Sequence, residues 1–160
     1  MQHKQLFLSA VAIAAALACQ YSDAAELEKT KDLGEKIEAV AELYGLSPDL
    51  FNAVLAVESR HDQAAVNHRT KDYGIGQINA KTAKLYGLDL QRLKHDVNYN
   101  LAASAKILSD FQRRYSRREP VVWFCHYNTG TRPSSGKSKA CFSYVRKVQR
   151  ALALQDGGGL

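Results

Sequence analysis

The chain has 160 residues, 46% of them hydrophobic and 24% charged, with a formal net charge of +6. That length holds one domain with a real core rather than two, and an ordinary hydrophobic share excludes a disordered chain. The excess of Lys and Arg suits either solvated helix faces or a polyanionic partner. No face interleaves basic and aromatic residues, which argues against nucleic acid.

The N-terminus reads as a targeting segment. Lys4 supplies positive charge, Leu6 to Ala18 is mostly apolar, and Ser22-Asp23-Ala24 offers small residues for cleavage. Residues 1–24 are therefore expected to be a secretory signal peptide, too short in its apolar run for a stable membrane span. This implies a periplasmic or exported protein, for which a polyanionic partner means wall or envelope. A second reading makes Cys19 a lipidated N-terminus. However, Leu17 lies one place from where a lipoprotein signal wants it, and an ordinary cysteine lost with the signal is preferred. Residues 25–155 then form a single domain and 156–160 a flexible tail. The mature chain keeps Cys125 and Cys141, and without a His/Cys set at zinc spacing they are read as a disulfide. Neither metal nor cofactor is expected.

From Glu28 to Tyr44, Leu33, Ile37, Val40, Ala41 and Leu43 recur at helical spacing until Gly45 stops the run. Ser47 caps a second helix with Pro48 in its first turn, and Leu50, Phe51, Val54, Leu55 and Val57 form its apolar stripe. Glu58 sits on the margin of that stripe. His61 to Asp72 is polar and reads as an irregular loop. Gly74 and Gly76 form a turn where backbone must approach something closely. Ala80 to Tyr86 is a short helix ended by Gly87, and Leu88 to Leu93 a connector. Asp96 begins the longest helix, with arginines 113, 114, 117 and 118 at its end. Val121 to Tyr127 is apolar nearly all round and reads as a buried short helix, with Trp123 in the core. After a basic loop, Thr131 to Lys139, the last helix runs from Phe142 to Leu154. No run of strand alternation is visible, so the fold class is mainly α.

Glu58 is the sharpest chemical candidate. A general acid needs a raised pKa, which partial burial provides, and hydroxyl or amide partners to hold it. Ser59, Gln77, Tyr127, Asn128 and Tyr144 are of the right kinds. The histidines 61, 68, 95 and 126 lack a ligand arrangement and receive no chemistry.

These residues resemble the goose-lysozyme-like (SLT) lytic transglycosylase domain, in the small secreted type that accompanies envelope-spanning secretion and conjugation systems. The family's glutamate–serine pair matches Glu58-Ser59, and its Gly-Leu-Met-Gln-Ile turn matches Gly74-Ile75-Gly76-Gln77-Ile78. Its aspartate and asparagine at the long helix match Asp96 and Asn100; its Ala-Tyr-Asn-x-Gly segment matches residues 126 to 130; its terminal tyrosine matches Tyr144. Five motifs keep the family's order, from Ile37 to Val148. Two positions depart. Gly76 replaces a methionine, which is expected to remove a side chain that packs against sugar in the cleft, and His126 replaces a small residue.

The resemblance implies a lysozyme-like helical domain acting on peptidoglycan glycan strands, with components of a secretion or conjugation apparatus as further partners. It implies a one-carboxylate route in which Glu58 is both acid and base and a 1,6-anhydro ring closes. Ser59 and Tyr144 would orient Glu58, backbone around Gln77 and the side chain of Asn128 would hold sugar, and Tyr127 would shape the cleft. Glycosidases generally use two carboxylates. Asp62, Asp72 and Asp96 are the nearest, none in an evident partner position, and Asn79 stands where hydrolases of this fold tend to place an acid. The alternatives are a hydrolytic muramidase and a non-catalytic wall-binding module.

Overall fold

The computed structural model describes residues 32–130 and 138–156. The expected signal peptide, Cys19, most of the basic loop and the tail from residue 157 lie outside the described residues. The order is α1 (Leu33–Leu43), α2 (Pro48–Ser59), β1 (Val66–Asn67), β2 (Asp72–Tyr73), β3 (Ile78–Asn79), α3 (Ala80–Tyr86), α4 (Leu90–His95) and α5 (Val97–Tyr115). A 3₁₀ turn (Trp123–Cys125), α6 (His126–Thr129) and α7 (Lys139–Asp156) complete it.

Polar side chains start the helices by taking up first-turn N–H groups that have no helical partner. Ser47 accepts from Leu50 N with Pro48 behind it, Asn79 from Lys81 N, Asp89 from Gln91 and Arg92 N, and Asp96 from Tyr99 N. The core then follows from helical spacing. Phe51, Val54 and Leu55 of α2 share one core with Val40 and Ala41 of α1, Leu101, Ala105 and Leu108 of α5, and Val148 of α7, all almost fully buried. Trp123 joins this core, edge-on to Phe124 at 5.8 Å between ring centroids. Helix α2 packs against α1 and α7, so its C-terminal end is held between elements from both ends of the chain. Among the described residues, no helix is long and apolar enough to cross a membrane.

Cys125 and Cys141 are joined, with Cα atoms 5.1 Å apart. The bridge closes 16 residues of separation, worth about 3 kcal/mol in the chain-entropy model. It ties the 3₁₀ turn to the start of α7 across the basic loop.

Three expectations need correction. The stretch from His61 onward is not wholly irregular: β1, β2 and β3 form an antiparallel sheet, pairing Val66 with Tyr73 and Tyr73 with Ile78. Strands of two residues are too short to show alternation. The connector before Asp96 contains helix α4, fixed by its Asp89 cap and one buried residue, Leu93. Val121 is 66% exposed, so the segment from 121 to 127 is buried only from Trp123 onward.

Candidate active site

Glu58 stands in the last turn of α2, half-buried, where the helix ends in two consecutive left-handed residues, Arg60 (φ 57°) and His61 (φ 63°). Non-glycine residues are uncommon in that region. The turn is supported by the His61 Nε2 contact with Asn52 Oδ1 at 2.7 Å. It sends the chain away from Glu58 and into the small sheet.

The carboxyl is gripped from across the fold. Tyr144 of α7 donates its hydroxyl to Glu58 Oε1 at 2.6 Å, a contact spanning 86 residues of sequence. Burial pushes the carboxyl up from an ordinary 4.5 to about 7. The Tyr144 hydrogen bond opposes that rise, the charge of Asp72 adds to it, and Lys147 opposes it. Tyr127 and Tyr144 are themselves raised, first by burial and then by the Glu58 charge, so both phenols stay protonated and able to donate.

The organiser of the glycine turn is Asn100 of α5. Buried to 1% exposure, Asn100 accepts from Gly76 N at 3.0 Å and donates to Leu93 O at 2.8 Å and Tyr73 O at 2.9 Å. Gly74 is required twice over. Its φ is +71°, and a Cβ there would stand 2.2 Å from Asn100 Nδ2. Gln77 has a positive φ of 48° without being glycine. Its side-chain amide stabilises that shape by donating to Gly74 O (2.9 Å) and Ala65 O (3.1 Å).

Gly76 does not behave as expected. A Cβ at this position would come within 1.8 Å of Ser104 Oγ and 2.9 Å of the Tyr127 hydroxyl, inside the protein and against α5. The glycine therefore opens no slot in the cleft: Ser104 and Tyr127 already fill the space a side chain would enter. Gly76→Ala is expected to cost about 2 kcal/mol, as overpacking typically does, and Ser104→Gly in the same chain to recover most of it. Denaturant melts of the two single variants and the double variant measure this. Equal costs added together would show that the positions are independent.

The other candidate residues divide clearly. Tyr127 donates to Gly76 O at 2.8 Å, and the Glu58 charge acts on its phenol, so the glycine turn lies near the acid. Asn128 is exposed on α6 beside it. The Ser59 hydroxyl donates to Leu55 O at 3.4 Å, back along its own helix, whereas Glu58 is held by the Tyr144 hydroxyl. Asp62 caps Ala64 N, while Asp96 caps α5 and pairs with Arg92. Asp72 accepts from Asn79 Nδ2 at 2.7 Å and from the Thr70 hydroxyl. Asn79, besides capping α3, bridges Thr70 O and Asp72.

Sequence reasoning passed over His126. It is 1% exposed, its Nδ1 donates to Gly130 O at 2.8 Å, and its Nε2 meets Glu119 Oε2 at 2.8 Å. The ring stacks on Tyr115 with centroids 3.8 Å apart. This clip fixes α6, and with it Tyr127 and Asn128. Its partners lie four and seven residues away in irregular chain, where no periodic pattern announces them.

The profile of the Transglycosylase SLT domain family matches residues 35–144, from the first helix to the tyrosine that holds Glu58. The chain belongs to the SLT family. Members of the family are generally lytic transglycosylases acting on peptidoglycan. The match takes in Glu58, the glycine turn, Asn100 and Tyr127, so the site described lies wholly within the SLT domain. No curated protein matches the chain.

Proposed function

We propose that this SLT domain cleaves the β-1,4 bond between N-acetylmuramate and N-acetylglucosamine and leaves 1,6-anhydro-muramyl ends. The observation that carries the reading is a single half-buried carboxyl, Glu58, pushed to about 7 and gripped by Tyr144. Such an acid is still substantially protonated near neutral pH, as protonation of a leaving group requires. Glu58 gives its proton to the bridging oxygen as the bond to C1 of muramate breaks. The substrate's own acetamido group stabilises the cationic centre. The Glu58 carboxylate then takes the proton of the C6 hydroxyl, whose oxygen bonds to C1 and closes the ring. Glu58 ends protonated, and no water is consumed. Tyr144 stays hydrogen-bonded to Glu58 in both states, which keeps the acid in place between its two tasks.

The place of work on this reading is the periplasm, reached through the signal peptide at residues 1–24, and the task is local wall opening for an envelope-spanning machine. The compactness of the domain and its resemblance to small secreted accessories of such machines support this.

A hydrolytic second reading has one observation in its favour: the charge of Asp72 reaches Glu58. Against it, the Asp72 carboxylate already accepts from Thr70 and Asn79. The pH dependence of wall turnover tests the role of Glu58. Release from purified sacculi is expected to fall tenfold per pH unit above about 7, the value to which burial raises this carboxyl. A rate that stays level to pH 9 would remove Glu58 as the acid.

A further inference from the structure

The segment that carries Tyr127 cannot hold its own shape. Helix α6 is a single turn of four residues, no side chain caps its start, and a turn that short is unstable alone. Its two ends are fixed from outside. At Cys125 the disulfide ties it to α7, and at Gly130 the ring of His126 takes hold. Gly130, at φ +75°, turns its carbonyl back onto His126 Nδ1 while its N–H donates to His126 O at 2.8 Å. The other ring nitrogen faces Glu119, whose N–H donates to Tyr115 O at 2.9 Å and whose carbonyl accepts from Val122 N and Trp123 N. The Tyr115 ring closes the circle by stacking on His126. Gly130 O and the Glu119 carboxylate both accept, so the two contacts call for a proton on each ring nitrogen. An apolar side chain would fill this place at 1% exposure without burying an ion pair, so stability alone does not account for the arrangement.

What the pair positions is visible in the glycine turn. The N–H of Gly76 donates to Asn100, and its carbonyl accepts from Tyr127. Asn100 is built into the long helix α5, whereas Tyr127 follows His126 directly on a single turn. Its reach to Gly76 therefore depends on the ring one residue earlier. Resting on the activity proposed above, we infer that His126 and Glu119 are positioning residues. They set the Tyr127 hydroxyl on Gly76 O and so hold the glycine turn in the form that binds the glycan strand. The hydrogen bond on Glu58 comes from α7, a different element, so the pair governs binding rather than proton transfer.

A cycle of variants tests this on soluble glycan strands. Glu119→Ala is expected to raise KM about tenfold and to leave kcat within about twofold, the pattern of lost binding. Glu119→Gln should restore the parent KM, because its amide can donate to Nε2 while Nδ1 still donates to Gly130 O. Tyr127→Phe should raise KM alike, and adding Glu119→Ala to it should add little, since both changes remove one contact. Circular dichroism and a melt well above the assay temperature show that each variant is folded. Should Glu119→Ala not fold, Glu119→Asp, one methylene short of the ring, carries the same comparison. A parent KM in the folded variant, a Gln variant as poor as Ala, or losses that multiply in the double variant each overturn the inference. Wild-type protein that releases nothing would instead remove the proposed reaction. Strand affinities of the same variants in a Glu58→Gln background then read the pair without turnover.

Discussion

Replacing Glu58 with Gln is expected to lower wall turnover by about 1,000-fold, the scale of general acid catalysis, while making the protein more stable. The two effects share one cause. The folded carboxyl titrates at about 7, against an ordinary value of 4.5. Between those values the folded chain keeps a proton that the unfolded chain releases, so stability falls as pH rises through that window. Above about pH 7 both states are ionised and the full penalty of the buried charge is present, about 3 kcal/mol. Below about 4.5 it vanishes. Gln accepts the Tyr144 hydroxyl as Glu does but never ionises. The gain in stability of the variant should therefore be absent near pH 4, grow through pH 6 and level off above 7. Urea melts at three pH values measure it. A variant less stable than the parent at pH 8 would show that the carboxylate is welcome in the fold, contrary to its raised pKa.

The second large effect falls on Asn100, which touches neither Glu58 nor solvent. Asn100→Ala strips the partner from Gly76 N, Leu93 O and Tyr73 O together. Each buried orphan costs about 1–3 kcal/mol, so a loss of about 4 kcal/mol is expected. Activity should fall as well, because Gly76 O is what Tyr127 bonds. Asn100→Asp separates shape from hydrogen bonding. It keeps an acceptor for Gly76 N but turns a carboxylate oxygen onto the carbonyls of Leu93 and Tyr73, and should be no milder than Ala. An Asp variant close to the parent in stability would mean the donor contacts contribute little.

Much of this arrangement is legible in the residues. Helical spacing, the Ser47-Pro48 start and the Gly87 stop fix α2 and α3 directly, because local propensity and burial agree there. Burial of Glu58 follows from its place on the edge of an apolar stripe. What escapes is whatever depends on contacts distant in sequence or on backbone too short for a period. The three strands are two residues each, and α4 buries only Leu93. Asn100 is visible as a polar residue on an apolar face, but its role depends on a turn 24 residues earlier. Gly76 shows the same limit in reverse. As a sequence it is a methionine lost from a cleft; in the fold it is the counterpart of Ser104. Ser59, next to Glu58 in sequence, bonds Leu55 O, whereas Tyr144, 86 residues away, bonds the carboxyl.

The most direct measurement is the mass of the glycan ends that wild-type protein releases from sacculi in ¹⁸O-labelled water. If Glu58 works alone as acid and then base, every new muramyl end is an anhydro end, lighter than a reducing end by one water and free of label. Reducing ends carrying one labelled oxygen would contradict the one-carboxylate route. They would direct attention to Asp72, the acid whose charge already reaches Glu58.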